Sequence, residues 1–385
     1  MSERALHVHF PSLVRAVPMA TLGAFPTPVM PLPGLRERLG AGTPELWVKR
    51  DDQSAVAYGG NKVRTLEVLF AEALAQGATR IVSTGAFGSN HAAATVLHAR
   101  RVGLEPGALL FPQPQSAAAR ENLAVTVTHG ARVEELPHWS FLPYGLARAH
   151  LLDKQRRERS YVMVPGGATP LGALGYVSAA FELAGQVARG ELPAPRAVVL
   201  AVGSTCTTAG LLLGFTLAAR LGLGFRVPPR VVAVRVTPWP VTSHARIVQL
   251  ALRAAELMER YGALGSAQGS TGSLSAPGRA ELEAGLHVDG RYLGLGYGRV
   301  TPGGLDAIAR FTLDGGPPLD TGYSGKSGAA FLDLARDAAE GPLLFWATKS
   351  SAALPPAFEA GPSGLGRDRS VLRDLPRMRA FLEAG

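Results

Sequence analysis

Cysteine is almost missing: Cys206 is the only one in 385 residues. No intramolecular disulfide can form, and no Cys/His spacing of the zinc-binding kind is present, so a reducing cytosol is the expected setting and no metal is expected. Long apolar runs are missing too. No stretch reaches the roughly 18 residues of a membrane span, and the N-terminal MSERALHVHFPSLVRAVPM interrupts its apolar part with charges. A soluble, unexported, cytoplasmic protein is expected, with no membrane partner. Lysine is scarce, with five (Lys49, Lys62, Lys154, Lys326 and Lys349) against 34 arginines. Where only positive charge is needed the chain supplies arginine, so each lysine is a candidate for work a guanidinium cannot do. The net charge of +9 invites a nucleic-acid reading. The arginines are scattered, however, and the densest basic run is only DKQRRERS at 153–160, so nucleic acid is not an expected partner.

What is present is a globular composition, 46% hydrophobic, and a length that suits two cores. Short β-branched runs (RIVSTG, ALLF, YVMV, AVVLAVG, RVVAVRV, PLLFWAT) alternate with helical patterns over 63–75, 92–102, 171–189, 209–221, 245–260, 305–311 and 328–338. This alternation predicts an α/β fold, with mostly parallel sheets wrapped by helices and ligands gathered at strand C-termini. ALGSAQGSTGSLSAPGRAE (263–281) reads as a mobile loop.

Three strand-end stretches carry chemistry. In AYGGNKVRTLE (57–67), Lys62 follows Gly-Gly-Asn at the start of a helical pattern. The glycines permit close approach and the helix dipole favours a neutral amine, which can bond an aldehyde; the alternative is an ordinary helix-start lysine paired with Glu67 or Asp52. In STGAFGSNHAAA (83–94), Ser89 and Asn90 open a helix, either as a plain cap or as a carboxylate site. In AVGSTCTTAGLLLGF (201–215), a Gly/Ser/Thr loop between strand and helix suits a single phosphate, since it has no lysine for a triphosphate. YSGKS (323–327) is not a Walker A motif, because Asp320 stands at its first glycine, and GLGYGR (294–299) has Arg299 where a dinucleotide fingerprint needs glycine.

An aldehyde, a single phosphate and a ring between them describe pyridoxal 5'-phosphate. VKRDD…AYGGNKVRTLE, GSNH, VPGGATPLGALGYVSAAFELA, GSTCTTAG, GYG and DTGYSGKSG together resemble, in order, the D-cysteine desulfhydrase and 1-aminocyclopropane-1-carboxylate (ACC) deaminase family, over roughly Thr27 to Thr348. The resemblance implies fold type II, tryptophan synthase β-like: two three-layer α/β/α domains with the cofactor in the cleft between them. It implies a small domain over 60–175, a large cofactor-binding domain of 1–59 plus 176–385, and a homodimer. By similarity, Lys62 bonds the cofactor and serves as the base. Asn90 bonds the pyridoxal 3'-oxygen, and Ser89 with Gly88, Asn90 and His91 takes the substrate. Gly203, Ser204, Thr205, Cys206, Thr207 and Thr208 hold the phosphate. Tyr297 and Tyr323 act near the substrate, and Ser324 and Thr348 lie by the pyridine nitrogen. Free tyrosine titrates near pH ~10, so either tyrosine would need a nearby cation to act as a base.

Where ACC deaminases place glutamate after the second tyrosine, this chain has Ser324, which favours expulsion of a β leaving group. The expected function is a lyase or deaminase acting on a small amino acid by α,β-elimination, giving ammonia and a 2-oxo acid. The alternatives are ACC ring opening, or a dehydratase, racemase or β-replacement enzyme on a bulkier amino acid. Gly88 replaces a family glutamine, Ala93 and Ala94 replace Arg-Gln, and Lys349-Ser350 replaces Gly-Gly. These departures point to a substrate other than D-cysteine or ACC, a bulkier one included, and the change at Gly88 to a pocket either enlarged or stripped of a polar group.

Overall fold

The computed structural model describes residues 4–156, 158–265, 274–337, 341–354 and 369–384. Residues 266–273 of the expected mobile loop, and residue 338 at the end of the last predicted helix, lie outside the described residues.

Two sheets organise the chain. One has six strands: β1 (Val29–Pro31), β2 (Leu46–Lys49), β7 (Ala197–Val202), β8 (Arg230–Arg235), β9 (Leu286–Asp289) and β10 (Leu343–Trp346), in the order β1-β2-β10-β7-β8-β9. Only β1 runs antiparallel. The other is a parallel four-stranded sheet, β5-β4-β3-β6, made of β3 (Arg80–Ala86), β4 (Glu105–Phe111), β5 (Arg132–Glu135) and β6 (Ser160–Met163). β7 and β3 are buried at every position. Helices cover both of their faces, so these strands read as continuous apolar runs rather than alternating ones. The expected mixed α/β architecture with parallel sheets is therefore the observed one.

A buried ion cluster joins the layers. Arg64 pairs with Asp51 and Glu182, each at 2.8 Å, and Lys49 pairs with Glu182 at 2.5 Å. Tyr176 and Trp346 donate to the Asp51 carboxylate at 2.9 and 2.8 Å. Two cations face two anions with their remaining lone pairs bonded, the condition under which buried charges are tolerated; removing one partner of such a set costs about 3–5 kcal/mol. Arg64 stands two residues after Lys62 on the Lys62–Ala75 helix. The cluster thus fixes the first turn of that helix against β2, β10 and the Pro170–Ala188 helix.

Candidate active site

The loops after β3, β6, β7, β9 and β10 converge on Lys62. Its turn is held from below: Asn61 N–H donates to Thr348 C=O at 3.0 Å and Gly59 N–H to Ser350 Oγ at 2.9 Å. The Asn61 amide also donates to Thr207 Oγ1 at 2.9 Å, tying the lysine turn to the 203–208 loop. Neither pairing partner considered from the sequence is free. Glu67 is bonded to Arg4 and to the amides of Leu22 and Gly23, and Asp52 is paired with Arg50. The Lys62 amine has no hydrogen bond or ion pair among the described residues, and burial pushes its pKa below the ordinary lysine value.

The 203–208 loop turns sharply at Thr205, whose φ is +73°. The Cys206–Arg220 helix follows, and its first hydrogen bond runs from Ala209 N–H to Thr205 C=O. The amides of Cys206, Thr207 and Thr208 therefore lack helical acceptors, and Thr208 Oγ1 is buried without a partner. Gly166, after β6, lies over this loop at φ +68°; a Cβ placed on it would sit 2.2 Å from Ser204 Oγ and 3.6 Å from Lys62 Nζ. Lysine amine, glycine and phosphate-type loop thus share one cradle that only a residue without a side chain leaves open.

On the opposite wall Ser89 caps the Asn90–Ala99 helix, its oxygen accepting from Ala92 N–H at 3.2 Å. Asn90 Oδ1 accepts from Tyr58 Oη (2.9 Å) and Asn122 Nδ2 (2.8 Å), which leaves its amide nitrogen to donate into the site. His91 is buried with neither ring nitrogen partnered. Burial first, and the Lys62 charge second, push its pKa down to about 3, so the ring is neutral. Cys206 is buried, and its thiol donates to Gly167 C=O at 3.3 Å.

Tyr297 and Tyr323 bond to each other through their hydroxyls, with rings edge to face at 5.8 Å. Burial raises both phenols above the ordinary value, so they are hydrogen-bond donors at neutral pH. Ser324 Oγ donates to Asp320 Oδ2 at 2.9 Å and accepts from Asp320 N–H at 2.6 Å. Its proton is committed, and it faces any further partner as an acceptor. Thr348 contributes its carbonyl to the lysine turn.

Gly88 departs from the sequence expectation of an enlarged pocket. A Cβ there would lie 2.4 Å from Ala119 Cβ and 2.8 Å from Gln113 Nε2. Gln113, from the loop after β4, occupies that place and accepts from Gly88 N–H at 3.2 Å. Sequence reasoning also missed Tyr58 and Asn122, which orient Asn90, and Lys326, which donates to the carbonyls of Leu293 (2.8 Å) and Gly296 (3.1 Å) beneath the Tyr297 loop. Nothing in their local patterns marks them; Lys326 was visible only as one of five lysines. A cavity of about 20 Å³, lined by Gly88, Asn90, Gln113, Asp320, Tyr323 and Lys349 among others, remains between these walls. It has room for a water molecule. Among the described residues no group of His, Cys, Asp and Glu could hold a metal ion, and no helix is long and apolar enough to cross a membrane.

The family described as "Pyridoxal-phosphate dependent enzyme" matches residues 20–348, and the chain belongs to it. The unpartnered amine, the orphaned Thr208 hydroxyl and free helix amides, and the Gly166 cradle fit that family's cofactor. Nocardicin C-9' epimerase of Nocardia uniformis subsp. tsuyamanensis is 40% identical over 217 residues, 55% of this chain and 62% of the epimerase. A D-cysteine desulfhydrase of Salmonella paratyphi C is 38% identical over 211 residues, 52% of this chain and 61% of that enzyme. The chain thus spans about three fifths of the length of the curated relatives it matches. The crystal structure of an ACC deaminase homologue superposes with a TM-score of 0.72 at 28% identity, covering 91% of this chain and 96% of the other.

Proposed function

We propose that the protein is a pyridoxal-phosphate-dependent lyase or deaminase that removes the α-proton of a small amino acid and expels its β substituent, giving ammonia and a 2-oxo acid. The observation that carries this is the Lys62 amine, enclosed, unpaired and held beside the 203–208 loop. The cofactor, when bound, supplies an electron sink for charge at the α-carbon. Gly203, Ser204, Thr205, Cys206, Thr207 and Thr208 would hold its phosphate, the Asn90 amide nitrogen would donate to its phenolic oxygen, and Ser324 and Thr348 would serve its ring nitrogen. Ser89, with Gly88 and the amides of Asn90 and His91, binds the substrate carboxylate. Lys62 Nζ takes the α-proton, and the neutral phenols of Tyr297 and Tyr323 give a proton to the leaving group.

A second reading, epimerisation, is favoured by the similarity to nocardicin C-9' epimerase and by the Ser324–Asp320 pair. The sequence expectation that Ser324 favours expulsion of a leaving group takes its hydroxyl alone; with its proton bound to Asp320 it would present an acceptor to the cofactor's ring nitrogen, which suits retention of charge at the α-carbon and return of a proton. The reading further includes a small domain over 60–175, a large domain of 1–59 plus 176–385, a homodimer and a cytoplasmic location. The β3–β6 sheet, which falls within residues 80–163, supports that division.

The test reconstitutes wild type and Lys62→Ala with pyridoxal phosphate and offers both enantiomers of cysteine and serine, β-chloro-D-alanine and ACC in heavy water. A visible cofactor band that survives dialysis only in wild type, with 2-oxo acid and ammonia formed, is the expected result. Deuterium at the α-carbon together with formation of the opposite enantiomer, without 2-oxo acid, selects epimerisation. No retained band in wild type refutes the cofactor assignment and the mechanism with it.

A further inference from the structure

Four of the five lysines have work in the fold. Lys62 is at the site, Lys49 is in the buried ion cluster, Lys326 props the Tyr297 loop, and Lys154 lies in the last turn of the Leu142–Arg156 helix, where it meets the negative end of the dipole. Lys349 has none. It stands just beyond β10, partly buried, with no hydrogen bond or ion pair among the described residues; its amine lies 5.6 Å from the ring centre of Tyr58. The residues on either side of it are bonded to the turn that carries Lys62, through the Thr348 carbonyl and the Ser350 hydroxyl. Its side chain lines both the small cavity of Asn90 and Tyr323 and a neighbouring open recess of about 520 Å³, walled by Glu121, Ala124, Val125 and Ala352 to Leu354. Among the described residues, therefore, a cation without an ion-pair partner stands where the site opens into space for a side chain.

We propose that Lys349 determines specificity by binding an anionic group on the substrate's side chain, so that the site takes an amino acid bearing a second carboxylate or comparable anion. The inference rests on the cofactor reading above. The two anions nearby do not perform this neutralisation. Asp320 is engaged by the amides of Gly322 (2.8 Å) and Tyr323 (2.6 Å) and by the Ser324 hydroxyl. Glu121 is exposed across the recess and makes no ion pair with Lys349. The α-carboxylate has its own place at Ser89 and the start of the Asn90–Ala99 helix, which leaves Lys349 for a second charge. A charge-assisted hydrogen bond from a partly buried amine corresponds to about tenfold to a hundredfold in affinity.

The experiment titrates cofactor-loaded protein with glutamate against glutamine and aspartate against asparagine, each as both enantiomers. Dissociation constants are read from the cofactor absorbance and from calorimetry rather than from turnover. In wild type at least one acid should bind about tenfold or more tightly than its amide. Lys349→Met should abolish that preference without weakening the amide, and Lys349→Arg should keep it. Acids and amides binding alike, no response to any acid, or a Lys349→Met variant that weakens both equally overturns the proposal; in the last case the lysine serves the α-carboxylate or the shape of the site. Wild type that retains no cofactor absorbance overturns the cofactor reading as well, whereas a normal band without acid preference overturns this inference alone.

Discussion

Replacing His91 with leucine should make the cofactor-free protein more resistant to acid. The imidazole is 1% exposed, and neither nitrogen has a partner, so the folded state holds it neutral with a pKa of about 3 against an unperturbed 6.5. Between those values the unfolded chain binds a proton that the folded chain refuses, so stability falls as pH drops from about 6.5 towards 3. Integrating the linkage for this one group gives a loss of about 2 kcal/mol between about pH 7 and pH 5. His91→Leu removes that loss. It also removes two unsatisfied buried nitrogens, each of which costs about 1–3 kcal/mol, so the variant should be no less stable than wild type even at neutral pH. Urea unfolding of both apoproteins across this range checks the claim through the difference between their slopes, since the carboxylates common to both cancel. Parallel curves would refute the reasoning and mean that the ring is solvated or partnered. If the prediction holds, His91 is retained at a cost to stability, the pattern expected of a residue kept for the site.

Gly166→Ala forces a positive φ on a residue with a side chain and drives its Cβ to 2.2 Å from Ser204 Oγ. Retention of pyridoxal phosphate after dialysis should fall by at least tenfold, while the far-ultraviolet circular dichroism is unchanged; full retention would show that the cradle is not the phosphate site. Asn122→Leu removes one of the two donors to Asn90 Oδ1. The amide is then free to turn, and cofactor affinity should drop by about threefold to tenfold, in line with the loss of about one hydrogen bond. An unchanged dissociation constant by fluorescence titration would mean that Tyr58 alone fixes Asn90.

The parts of this protein legible in its sequence are those whose chemistry is local. β7 and β3 announce themselves because strands buried on both faces must be apolar throughout. Lys62 stood out because a glycine turn, a helix start and a scarce residue type coincide within a few positions. β1, β2, β5 and β9 were missed because these short strands carry Pro31, Lys49, Arg132 with Glu134 and Glu135, and Asp289 in place of the apolar runs that revealed the equally short β6 and β10. The Ala117–His129 and Leu142–Arg156 helices were missed as well. The ion cluster was illegible in a different way: Lys49, Asp51, Arg64 and Glu182 all lie within the motifs that carry the resemblance, but nothing local says that they pair, and the fold brings Glu182 to Lys49 and Arg64 from over a hundred residues away.

Gly88 shows how a correct local observation can lead to the wrong physical conclusion. A glycine where relatives carry a long polar side chain predicts empty space, if every other position is assumed unchanged. Here Ala119 lies against the backbone at Gly88, and the Gln113 amide, supplied by a different loop, takes up the polar role while bonding the Gly88 N–H itself. A polar amide thus remains on that wall of the site, now anchored to the loop after β4. Restoring glutamine at 88 would overpack Ala119 at a cost of about 1–3 kcal/mol and add nothing that Gln113 does not already present. Of the departures at Gly88 and Lys349, then, the first is compensated from elsewhere in the fold, whereas the second leaves an amine with no hydrogen bond or ion pair among the described residues.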